Sequence, residues 1–317
     1  QAAGPNHAGT NPGVVFRREN HGSDPSGQGV WRIVSNLRYA DQTRGYAMSL
    51  LLCRQEHVKR PYFMEAMGIH LYSSQELSYV IFNYPLLVMD GFVDERLLTF
   101  LREELNQGFL ALKLERWIKK KGSMDEALMI ILQECDYYSM AEVGRFRQMA
   151  AALRKKHPAD FNRMKADQLF SLKQYGRAVE IYQELLQLPY GNFVDDLFLG
   201  RVWNNLGACY GRMFQLNKAF EAFQNAYRKN EQETVLERLY ELSKIDERLV
   251  LGEEFMVQIT EQKKAQWDKK LQQARETARK SQKVKDLENL FQKDPIKRQS
   301  GAADLLHTWK QEYRNMA

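Results

Sequence analysis

From Met48 onward, apolar residues recur at three- and four-residue spacing, the period of a helix with one buried face. Several of these stretches open on a start signal. Ser73-x-x-Glu76, Ser123-x-x-Glu126 and Ser139-x-x-Glu142 each fit a capping box, in which serine and glutamate satisfy the first free amides of a helix. Leu77, Val80 and Ile81 follow the first box; Leu128, Ile131 and Leu132 the second; Val143, Phe146 and Met149 the third. Between the first two boxes, Leu97, Leu98, Leu101 and Leu105, then Leu110, Leu112, Leu114, Trp117 and Ile118, predict two more helices. Pro85 and the Asp90–Gly91 pair mark turns, and the Tyr62–Tyr72 stretch leaves room for a short strand pair.

The second half of the chain repeats itself. Trp203-x-x-Leu206-Gly207-x-x-Tyr210, followed by Ala219, Phe223 and Ala226, describes two helices that cross closely. Gly207 leaves room for the second helix, and Ala219 returns at the tightest point of the crossing. A looser copy (Ala166, Leu169, Tyr175, Ala178, Tyr182 and Leu185) fits the same frame from near Ala159. The frames lie 41 residues apart, and the surplus over a unit of about 34 residues is assigned to a Pro189–Asp196 loop. Glu233–Asp246, with Val235, Leu236, Leu239, Tyr240 and Leu242, is expected to form the first helix of a third unit or a capping helix. The Met48–His157 helices would complete the stack, since about three units are needed to bury a continuous core.

The Trp203–Ala226 pattern resembles the tetratricopeptide repeat family, and Ala159–Leu185 resembles it more loosely. The form of residues 48–250 is similar to that of bacterial repeat proteins with a helical N-terminal region. Glu231 stands where the family pattern has a proline. The resemblance implies an all-α stack of helix pairs with a concave groove for a peptide or partner helix. Some family members hold a C-terminal carboxylate in a Lys/Asn/Arg clamp. Arg163 and Asn205 match two clamp positions, but Asp167, Val235 and Leu239 occupy others. The expectation is therefore a generic groove lined by Arg163, Asp167, Arg201, Asn204, Asn205 and Arg212.

After Glu253 a long polar helix is predicted. Ile259, Trp267, Leu271, Ala274 and Ala278 make a thin apolar stripe among lysines and arginines. Asp294–Pro295 breaks it, and Ala303, Leu305, Leu306 and Trp309 mark a short last helix. So narrow a stripe suits an extended arm or a docking helix, with Trp267 and Trp309 as exposed anchors. Charge sharpens this picture. Residues 261–317 hold 14 of the 46 Lys/Arg and 8 of the 40 Asp/Glu, so the whole net charge of +6 resides there. The rest of the chain has no cationic surplus to attract phosphate. Four segments follow: a leader (1–47), a helical N-terminal region (48–157), the repeats (158–250) and the charged arm (251–317). The leader is rich in glycine and proline and lacks methionine, which points to a disordered or non-native segment with Met48 as the natural start.

Chemistry is harder to find. His7, His21, His57, His70, His157 and His307 include no pair three or four apart, so no metal spacing arises. Cys53, Cys135 and Cys209 are too scattered for a disulfide framework or metal site. No phosphate-binding loop, nucleophile elbow or dinucleotide fingerprint is present, and Asp94–Glu95 and Asp195–Asp196 read as helix-start charges. The aromatic group Tyr72, Tyr79, Phe82, Tyr84, Tyr137 and Tyr138 reads as core packing or as a recognition surface. No apolar run approaches a membrane span, no signal-peptide pattern appears, and the expected home is a reducing cytoplasm. The sequence thus predicts a non-enzymatic adaptor without cofactor, binding a protein or peptide. The alternative is a nucleic-acid-associated regulator that works through the basic arm.

Overall fold

A computed structural model describes residues 15–18, 31–34 and 58–316. The chain divides into two compact units, Gln1–Ala150 and Ala151–Ala317.

In the first unit, β1 (Val15–Arg18) pairs antiparallel with β2 (Trp31–Val34), Val15 opposite Val34. Both strands fall within the segment read as a leader; the proposed start at Met48 lies outside the described residues. β3 (Tyr62–Met64) and β4 (Ile69–Leu71) form the second hairpin, with Gly68 at φ +65° in its turn. Six helices follow: α1 (Ser74–Asn83), α2 (Pro85–Val88), α3 (Glu95–Thr99), α4 (Gly108–Lys119), α5 (Met124–Glu134) and α6 (Met140–Arg154). α3 continues as a π-helical turn, Phe100–Glu104.

The start signals are realised unevenly. Ser139 and Glu142 close a reciprocal box: Ser139 N donates to Glu142 Oε2 (2.9 Å) and Glu142 N donates to Ser139 Oγ (3.4 Å). Ser73 Oγ accepts from Glu76 N (3.1 Å), while Glu76 reaches back to the amide of Tyr72 rather than Ser73. The Ser123 box does not close, because Arg147 on α6 draws Glu126 into an ion pair (3.2 Å). Asp94 caps α3 by accepting from Leu97 N (2.9 Å), as its place at a helix start implied. The predicted apolar residues are buried except Trp117 and Ile118, which are half-buried, and Leu112 and Met149, which face outward. Phe82 stacks on Tyr138 with ring centroids 4.1 Å apart, and Tyr137 meets Tyr138 edge-on, so these rings largely cover one another.

In the second unit, α7 (Pro158–Ser171), α8 (Tyr175–Leu186), α9 (Asp196–Arg212), α10 (Leu216–Asn230) and α11 (Glu233–Ile245) pack each on the next, and α7 also meets α9. The two frames predicted from sequence bury matching positions. Ala166 and Gly207, Leu169 and Tyr210, Ala178 and Ala219, Tyr182 and Phe223, and Leu185 and Ala226 are all buried. The α7–α8 and α9–α10 turns are built alike. Lys173 and Phe214 take left-handed φ of 61° and 58°, and the next amides, Gln174 N and Gln215 N, reach Leu169 O and Tyr210 O at 2.9 Å. Gly207 sits where a Cβ would meet the Phe223 ring at 2.8 Å, so only glycine permits this approach of α9 and α10. Glu231, in the expected proline's place, ends α10 in the left-handed region (φ 47°).

Beyond α11, the long polar helix is in fact several: α12 (Glu253–Met256), α13 (Glu261–Arg279), α14 (Gln282–Phe291) and α15 (Pro295–Met316). A break at Lys280–Ser281 separates α13 from α14. Asp294–Pro295 interrupts the chain as predicted, but it opens a 22-residue helix rather than a short one: Pro295 fits the first helical position and Asp294 accepts from Lys297 N (3.0 Å). No helix among the described residues is long and apolar enough to cross a membrane.

Candidate functional site

The predicted groove residues sit on alternate helices, α7 and α9. Spacings of three and four residues put Arg201, Asn204, Asn205 and Arg212 on one stripe of α9. Asp167 on α7 joins them. Its Oδ1 accepts from Tyr182 Oη (2.5 Å) and Asn205 Nδ2 (2.8 Å), and its Oδ2 accepts from Arg163 Nη1 (2.6 Å). Arg163 also donates to Asp160 Oδ1 (2.7 Å). Asn204 Nδ2 donates to Asn205 Oδ1 (3.2 Å), and Arg238 of α11 donates to Asn204 Oδ1. One polar chain therefore runs Arg163–Asp167–Asn205–Asn204–Arg238 across α7, α9 and α11.

The electrostatics keep this chain in fixed roles. Burial, reinforced by the neighbouring Asp167 carboxylate, raises the Tyr182 phenol, so Tyr182 stays a neutral donor. Burial alone would raise Asp160, but Arg163 and Lys156 outweigh it and hold the carboxyl below its ordinary value. Arg238 also lies over the Phe223 ring, 5.6 Å from its centroid.

Four of the six predicted residues thus meet in one network. Arg201 and Arg212 stand outside it, exposed and without a hydrogen bond or ion pair among the described residues. Arg163 is engaged by two carboxylates, which a ligand carboxylate would have to displace. The sequence prediction missed Arg238. It stands one repeat length of about 34 residues beyond Asn204, so carrying the frame forward one unit would have found it.

Trp203, Leu206 and Tyr210 face the other side of α9, roughly 180° around the helix. There α8, α9 and α10 enclose an open groove of about 820 Å³. The anchors proposed for the arm divide. Trp309 is 41% exposed, but Trp267 is 2% exposed and is no free anchor. Of the α13 stripe, Trp267 is the buried member: it packs against Tyr240 of α11 (centroids 5.6 Å apart), whose hydroxyl donates to Asp268 Oδ1 (2.8 Å), whereas Ala274 and Ala278 are exposed. The far end of α15 turns back to the helix-pair turns, where Gln174 Nε2 donates to Asn315 O (3.2 Å) and Gln215 Nε2 meets Tyr313 Oη (3.4 Å).

Comparison of the chain with protein-family models, curated proteins and solved structures matched none of them.

Among the described residues, no group of three or more His, Cys, Asp or Glu side chains is placed to hold a metal ion. Burial pushes the Cys209 thiol up to about 12, far from thiolate reactivity. Cys53, His7, His21 and His57 lie outside the described residues. His157 is structural: its Nδ1 accepts from Ala159 N (3.2 Å) at the start of α7, and its ring stacks on Phe193 (4.1 Å). The arrangement offers directional hydrogen bonds and two uncommitted guanidinium groups, which suit binding.

Proposed function

We propose that this chain is a protein-interaction adaptor of tetratricopeptide type, acting in the cytoplasm without enzymatic activity. The inner face of α7, α9 and α11 receives an extended peptide or a partner helix. The observation that carries this reading is the polar chain Arg163–Asp167–Asn205–Asn204–Arg238, which links three alternate helices on one face. Such a row holds its side chains in fixed positions before a ligand arrives, which lowers the entropy cost of binding. Matching buried positions 41 residues apart support a repeat origin for the two helix pairs. Arg201 and Arg212 supply charge for an acidic stretch of the ligand.

Nucleic-acid binding through the arm is the weaker reading. Lys263, Lys270 and Lys283 are committed to Glu233, Glu237 and Glu312, and Arg275 donates to the Lys244 carbonyl. Those cations are less available to phosphates.

The double variant Arg201→Glu/Arg212→Glu tests the groove. Both side chains are exposed, so the fold should hold, with thermal stability changed by no more than about 0.5 kcal/mol. Capture of the partner from source-cell lysate should fall at least about tenfold, as reversing two contacting charges implies. Unchanged capture by the folded double variant would move binding away from this face.

A further inference from the structure

The groove on the opposite side of α9 has its own chemistry, independent of the inner face. Trp203 and Tyr210 supply its aromatic floor. Glu180 and Glu184, one turn apart on α8, and Glu221 on α10 supply carboxylates. None of the three forms an ion pair among the described residues. The groove wall therefore carries three carboxylates that no cation of the chain neutralises by direct contact among the described residues. Lys218 is the one cation lining the groove, and its ammonium lies over the Tyr210 ring at 5.4 Å rather than against a carboxylate. The tyrosine hydroxyl is fixed from the other side, accepting from Gln183 Nε2 at 3.0 Å. Trp203, the stronger cation acceptor of the two, carries no cation over its ring among the described residues.

We infer that this outer groove is a second docking site, and that its ligand is a basic peptide segment that lays an arginine or lysine against Trp203 and between Glu180, Glu184 and Glu221. The three parts each do separate work. The aromatic floor takes the apolar stem and the face of the cation. The carboxylates neutralise its charge from two helices at once. The groove is open to solvent, so the backbone of the segment need not be buried, and the volume of about 820 Å³ exceeds that of a single side chain. With Lys218 already on Tyr210, the chain shows that this wall accepts an ammonium.

The probe is a fluorescently labelled peptide of alternating arginine and alanine, titrated with the full chain at low salt and followed by anisotropy. Glu180→Gln/Glu184→Gln/Glu221→Gln should weaken binding about tenfold or more, because three carboxylates within one groove act together. A control with the same loss of charge elsewhere, Glu247→Gln/Glu253→Gln/Glu288→Gln, should stay within about twofold, the long-range share of a screened interaction. Trp203→Leu should weaken binding roughly threefold to thirtyfold, the range of one cation–π contact. Circular dichroism checks that each variant is folded. Equal weakening by both triple variants would mean diffuse charge attraction and would overturn the proposal. Failure of the native chain to bind, or equal binding of a glutamate–alanine peptide, would overturn it as well. A second copy of the chain competing for the peptide through its own basic arm would show as self-association in sedimentation and would replace the separate-peptide ligand. Because the inner-face residues are untouched, none of these outcomes bears on the Arg201/Arg212 result.

Discussion

Trp267→Ala is expected to detach α13 from α11 while α7–α11 stay folded. The indole is 2% exposed and packs on Tyr240, and truncating a buried tryptophan costs about 3–5 kcal/mol. The other ties of α13 are weaker. Lys263–Glu233 and Lys270–Glu237 are partly solvent-exposed pairs, whose attraction water and salt screen. The Tyr240–Asp268 hydrogen bond adds about 1 kcal/mol. Losing the indole therefore removes more than any other single contact of α13 supplies. Hydrogen exchange reads the result: amides of α13 should lose protection while those of α9 and α10 keep theirs. Equal protection in both forms would mean that α13 is held by something other than Trp267.

The largest effect inside the repeats should come from Gly207→Leu. A Cβ alone at this position would lie 2.8 Å from the Phe223 ring, and Phe223 is only 5% exposed and has nowhere to swing. Leucine must therefore push α9 off α10, at a cost of about 3 kcal/mol, the upper end of ordinary overpacking. Gly207→Ala should cost less, about 1–2 kcal/mol, because better helix propensity returns close to 1 kcal/mol. Thermal or urea unfolding would rank the three proteins as native, alanine, leucine. A leucine variant as stable as the native chain would contradict the close crossing of these helices.

What the sequence made legible follows from the range of each interaction. The Gly207–Phe223 crossing and the burial of Ala166, Tyr182, Ala219 and Ala226 lie within single helix pairs, where spacing along the chain determines contact. The Asp94 and Asp195 caps are equally local, each accepting from an amide three residues on. The failures are long-range. Glu126 should have closed a box with Ser123, but Arg147 from another helix competes for it. The stripe Ile259–Trp267–Leu271 announces that one face of α13 needs cover, yet that pattern is the same for a helix docked on its own body and one awaiting a partner. Tyr240, 27 residues before Trp267, decides between them, and no local period reports it. The outer groove was invisible for the same reason: Glu184, Trp203 and Glu221 come from three different helices.

The adaptor proposal is tested most directly by a photo-crosslinking residue in place of Ala208, in the middle of the Arg201–Arg212 stripe, with the same residue at the exposed Glu247 as control. Irradiated in source-cell lysate, the Ala208 form should trap a discrete protein, and Arg201→Glu/Arg212→Glu in the same chain should abolish the trapped product. Identical products from both positions, or none from Ala208, would contradict a ligand on the inner face of α7, α9 and α11.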